Sequence, residues 1–183
     1  MAVIEAIATH YLEADAASVE FTSIPATYEH LQLRFTARGT DTTAATYYTS
    51  LNLQFGTGGG SVDTGTNYSR HYMYGQGTAE TGGSNTGINQ IWMGTIENAG
   101  SGTGTEHVGR YAAGLVTITD YTNTNKNTTC WGLQGRHSYW SPEVRFNSGL
   151  WSATGAVDRI KLAPYTGSFV RGSEFTLYGL NSS

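Results

Sequence analysis

Charge is what this chain has least of. Lys, Arg, Asp and Glu supply 13% of its 183 residues, about half of the roughly 25% found in an average soluble domain. Only two lysines occur, Lys126 and Lys161, the formal net charge is −4, and the arginines are scattered. That excludes a basic footprint, so nucleic acid is not an expected partner. A surface short of charge must be covered by Ser, Thr, Asn and Gly, which suits a protein embedded in an assembly or sitting outside the cell better than a cytosolic enzyme. Cysteine is nearly absent. Cys130 alone rules out an intrachain disulfide, and next to Trp131 in a strand-like run it reads as a small buried apolar residue. No apolar run approaches the roughly 18 residues of a membrane-spanning helix, and a membrane is not an expected partner. The first residues lack the basic and apolar regions of a signal peptide. The sequons at Asn67, Asn127 and Asn181 are then expected to be by-products of a Ser/Thr/Asn-rich composition.

Stable helices are also missing, and what remains is period-2 alternation. Residues 30–38 are the cleanest case, with Leu31, Leu33, Phe35 and Ala37 on one face and Gln32, Arg34, Thr36 and Arg38 on the other. Tyr47, Thr49, Leu51, Leu53 and Phe55 alternate in the same way, as do Ile160 and Leu162 against Arg159 and Lys161. The closing stretch places Phe175 and Leu177 opposite Glu174, Thr176 and Tyr178. A strand so near the terminus must be tied into a sheet, so it is expected to be an inner or near-inner strand. Further strands are expected over 18–24, 68–74, 90–97 and 107–121, and as a hairpin of 131–140 with 144–152 around Ser141-Pro142. Glycine-rich 56–66, 75–87 and 99–105 read as loops. About eight to ten short strands separated by turn clusters predict an all-β, single-domain antiparallel β-sandwich, most simply a jelly roll, over residues 1–183. Residues 1–15 are expected to be an N-terminal arm or edge strand carrying Val3, Ile4, Ile7 and Tyr11.

Catalytic and metal chemistry finds little footing. His10, His30, His71, His107 and His137 show no HxH or HxxxH spacing. Asp63-Thr-Gly-Thr-Asn67 offers two oxygen side chains but not a calcium loop, and reads as a turn bonded to its own backbone. The acids Glu80, Glu97, Glu106, Asp120, Glu143 and Glu174 form no recognisable glycosidase pair. There is no G-x-S-x-G elbow, and Cys130 has no adjacent base. The expectation is therefore no enzyme, no metal and no cofactor. The aromatics are richer: Trp92, Trp131, Trp140 and Trp151, with Tyr72, Tyr74 and Tyr139, suggest either core and subunit-interface residues or a sugar-stacking platform.

Several short phrases carry a resemblance: Val19-Glu-Phe-Thr-Ser-Ile-Pro-Ala-Thr-Tyr28, His30-Leu-Gln-Leu-Arg34, Thr66-Asn-Tyr-Ser69, Ile160-Lys-Leu162 and the run from Gly167 to Leu180. Together they resemble a group of tailed-bacteriophage virion proteins over most of the chain, least between 75 and 105. The chain departs from them at Gly56-Thr-Gly-Gly-Gly60, where they usually show an Asn-Gly-Asp turn. The resemblance implies a structural virion protein, a decoration or cement protein on the capsid exterior that binds the major capsid protein and copies of itself, often as a homotrimer. Val3, Ile4, Ile7 and Tyr11 of the N-terminal segment, together with the long glycine-rich loops, are the expected contacts. The alternative is a tail, baseplate or fibre protein that binds host glycan through Trp92, Tyr139, Trp140 and Trp151.

Overall fold

The alternating stretches become strands because each has one apolar face to bury and one polar face to leave in water. A computed structural model describes residues 3–41, 47–98, 109–137 and 142–182, and these contain twelve strands and no helix. The strands are β1 (Val3–Tyr11), β2 (Val19–Phe21), β3 (His30–Gly39), β4 (Tyr48–Gly56), β5 (Tyr68–Gln76), β6 (Ala79–Ile88), β7 (Ile91–Asn98), β8 (Ala112–Thr119), β9 (Thr128–Arg136), β10 (Glu143–Trp151), β11 (Arg159–Pro164) and β12 (Glu174–Asn181).

They form one continuous hydrogen-bonded network. A long limb runs β1-β12-β3-β8-β9-β10-β5-β6, and a short limb runs β2-β11-β4-β7. The limbs join where the end of β3 lies beside the end of β7, with Arg38 opposite Glu97 and Gly39 opposite Asn98. That junction is parallel, a small departure from the expected all-antiparallel pairing. The chain passes repeatedly from one limb to the other, an order compatible with the expected jelly roll.

The short limb lies over the inner face of the long one. Cys130 Sγ is 3.9 Å from Met93 Sδ, and Asn147 Nδ2 donates to the Met93 carbonyl at 2.9 Å. Two glycines permit this approach. A Cβ at Gly132 would stand 2.9 Å from Met93 Cε, and one at Gly149 would stand 2.7 Å from Ile91 Cδ1. Between the layers lie Leu31, Leu33, Leu53, Phe55, Val116 and Phe175, among others, all buried. Each fully buried side chain of this size contributes roughly 1.5–3 kcal/mol. As expected, β12 is an inner strand, hydrogen-bonded to β1 on one side and β3 on the other.

One expected loop is a strand. Residues 79–88 form β6, paired antiparallel with β5 through a two-residue turn in which Gly77 adopts φ of 58°. Between Ala79-Glu80 and Ile88 its residues are Gly, Ser, Thr and Asn, mostly exposed, so no apolar alternation announces it. The glycine-rich stretch 99–105 lies outside the described residues.

Candidate interaction surface

β9 and β10 depart most from the pattern of β3, β4, β11 and β12, which turn an apolar face inward. Over one half of the pair the inward positions are polar: Gln134 and Arg136 on β9, and Glu143, Arg145 and Asn147 on β10, are all buried, while Cys130 and Trp151 continue the same face as apolar core. Their outward positions are apolar: Trp131, Leu133, Val144 and Phe146 are all exposed. Over that half the two faces have exchanged chemistry.

Inside, the polar side chains are knitted to β7. Arg136 donates from Nη1 to Glu97 Oε1 at 3.2 Å, from Nη2 to Glu143 Oε2 at 3.5 Å and from Nε to Thr95 Oγ1 at 2.9 Å. Arg145 grips both oxygens of Glu143, at 2.7 and 3.1 Å. Thr95 Oγ1 also donates to Glu143 at 2.8 Å. Burial opposes ionisation of Glu143, but Arg145, Thr95 and Arg136 together outweigh it and hold the carboxyl below its ordinary value. The guanidinium of Arg136 lies over the Tyr48 ring and that of Arg145 over Tyr74, at 4.4 and 4.2 Å. Glu97 and Glu143, both among the acids considered for a glycosidase pair, thus share one arginine in the interior. Their arrangement binds the two layers together.

Outside, the apolar residues line up across the sheet. Register places Met73 of β5 opposite Phe146, Phe146 opposite Leu133, and Leu133 opposite Leu115 of β8. At about 4.8 Å between strands the four span about 14 Å. Val144, 63% exposed, and Trp131 flank this row, and the Trp131 and Phe146 rings are 6.1 Å apart. Beyond its ends the row continues into Arg34 on β3 and Gly82 on β6. A contiguous apolar patch in the middle of a solvent-facing sheet marks an interaction site.

The N-terminal strand presents a second exposed region. Among the described residues β1 pairs only with β12, which leaves its other edge without a strand partner there. Val3, Ile4 and Tyr11 are exposed, as a contact strand requires, whereas Ile7 sits at a bulge and packs against the core.

Among the described residues, Trp92, Trp131 and Trp151 do not share one face. Trp151 is 2% exposed, lies between Phe55 and Tyr68, and donates its indole N–H to Asp63 Oδ2 at 2.8 Å. That corrects its assignment as a glycan contact: a ring enclosed on both sides has no face for a sugar. Trp92 is half-buried elsewhere, with the Arg70 guanidinium 4.1 Å over its ring, and Arg70 reaches on to Tyr72. Trp131 faces the opposite side of the long limb. Tyr139 and Trp140 lie outside the described residues. The 63–67 turn is as expected, with Asp63 accepting from the Gly65 N–H at 2.7 Å and from Asn67 Nδ2 at 2.8 Å. Trp151, then Asn67 and Gly65, hold its carboxyl below the ordinary range against the opposing effect of burial.

The row of Met73, Leu115, Leu133 and Phe146 was not picked out from the sequence. The signal was present in β9 and β10, where apolar and polar residues alternate cleanly, but alternation does not say which face turns inward. Comparison with known proteins adds nothing to this geometry: no family model, curated protein or solved structure matches the chain.

Proposed function

We propose that this chain is a structural protein of a tailed-bacteriophage particle, a decoration or cement protein on the capsid exterior. The observation that carries the docking part of this reading is the apolar row on the outer face, with Met73, Phe146 and Leu133 exposed on β5, β10 and β9 and Leu115 half-buried on β8. The particle itself enters through the sequence resemblance. Such a protein has two kinds of neighbour, the major capsid protein and further copies of itself, and the chain has two surfaces to offer them, the row and the edge of β1 that faces away from β12. Repeated weak contacts on one shell add into firm attachment.

The test is co-sedimentation of the purified protein with particles that lack it. Wild type should bind. Phe146→Asp, which alters the row, and deletion of residues 3–11, which removes β1, should each reduce binding at least about tenfold, since one lost apolar anchor is worth roughly 1.4 kcal/mol or more. No binding by wild type, or undiminished binding by both variants, would contradict the proposal.

The glycan-binding alternative rests on Trp92, whose neighbours Arg70, Tyr72 and Tyr165 form an aromatic and guanidinium cluster. It predicts saturable binding of a host polysaccharide that is lost in Trp92→Ala.

A further inference from the structure

We infer that the apolar row is covered by a second copy of the same chain, packed face to face about a two-fold axis that runs along the strands between β9 and β10. The inference rests on reading the row as a docking face and names its occupant.

Val144 stands 63% exposed on the outer face of β10. It is a knob among small residues: across the sheet its neighbours in register are Gly75 on β5 and Gly135 on β9, followed by Ala113 on β8. Two shallow grooves flank it, one over Gly135 and Ala113 and the other over Gly75. Both are open. A Cβ added at Gly75 meets nothing within 4 Å, and one at Gly135 meets only the Glu143 carbonyl at 4.0 Å. Glycine in a strand commonly marks a place where another chain approaches closely.

A two-fold axis along the strands exchanges β9 with β10, β8 with β5 and β3 with β6, and leaves each row at its own height. Val144 then stands over the second copy's Gly135, and Gly135 receives the second copy's Val144. In the neighbouring rows Phe146 meets Leu133, Met73 meets Leu115, and Trp131 stands over the small Ser148. At these positions large faces small or apolar faces apolar, and at the margin of the Trp131 row His71 of β5 comes over Thr117 of β8. A self-complementary patch of this kind is what an isologous contact requires. The ends of the row agree in charge: Arg34 comes over β6 of the second copy, one row from its Glu80. The footprint from β3 to β6, over about six residues of each strand, is about 29 Å by 20 Å. Its projected area, about 600 Å², approaches the roughly 800 Å² per partner of a stable interface. A two-fold contact differs from the trimer that the resemblance implies, and the two are separable by experiment.

The experiment is a knob-and-hole exchange read by analytical ultracentrifugation across a concentration series. Wild type should dimerise. Val144→Gly removes the knob and Gly135→Val fills the hole, so each alone should weaken the dimer at least tenfold. The double variant restores a knob opposite a hole and should recover most of that loss. Both positions are solvent-facing, and thermal unfolding at low concentration checks that each variant is folded. A wild type that stays monomeric, a trimer, or a double variant no better than the singles overturns the inference. If the chain is monomeric yet sediments with particles, the second copy fails and the particle reading stands. If it dimerises but never binds particles, the reverse holds.

Discussion

At the scale of single residues, Arg136 is the position on which the interior depends most. It is the cation that Glu97 and Glu143 share, and all three side chains are sealed from water. Arg136→Met should cost about 3–5 kcal/mol, because it leaves buried carboxylates without that cation. The midpoint of urea unfolding measures this. The same chemistry sets a pH dependence. Glu143 is held below its ordinary 4.5 and Asp63 below its ordinary 3.8. A depressed carboxyl favours the folded state fully above its unfolded value, and that contribution is lost as the pH falls through the folded value. Stability should therefore be level in this respect above about pH 5 and decline in acid. Urea midpoints measured from pH 7 downward would show it, and a midpoint that rises in acid would contradict it. Trp151 separates two readings of the aromatics. Buried between Phe55 and Tyr68, it should lose about 3–5 kcal/mol of stability on change to Ala. A fully stable Trp151→Ala variant would mean that the ring is not in the core.

At the scale of elements, legibility followed the hydrophobic pattern. β3, β4, β11 and β12 are visible in the sequence because each buries one alternating apolar face, and Leu31, Leu33, Phe35 and Ala37 are all inside. β6 was invisible because it is an exposed edge that buries almost nothing, so its backbone pairing with β5 had no counterpart in side-chain chemistry. β9 and β10 were visible as strands but not in orientation. With Trp131 and Leu133 on one face and Gln134 and Arg136 on the other, composition alone turns the apolar face inward. The structure turns it outward because Gln134, Arg136, Glu143 and Arg145 find a full set of partners on β7 and on one another. The polar network and the exposed row are thus one feature seen from two sides. β1 is the element most easily removed. Its strand pairing is with β12, and beyond that it adds the Tyr28–Glu5 hydrogen bond, the His10–Phe21 ring contact and the packing of Ile7 and Ala8. Deleting residues 3–11 should leave the fold intact and lower stability by about 1–3 kcal/mol, with near-ultraviolet circular dichroism unchanged in shape.

At the scale of the molecule, two layers share one core, and the surface is short of charge everywhere except at scattered pairs such as Arg159 with Glu20. Low charge reduces the repulsion that keeps copies apart, and the row on β5, β8, β9 and β10 supplies apolar area for attachment. Both properties suit a subunit that works in large numbers on a surface. An all-β scaffold hosts lectins, capsid modules and enzymes alike, so the scaffold does not choose among them. The choice rests on the particle. The measurement that bears on it most directly is the number of copies per purified virion, by quantitative mass spectrometry against the major capsid protein. The account predicts on the order of hundreds of copies, the number that a multivalent shell of contacts requires. Absence from the particle would contradict it.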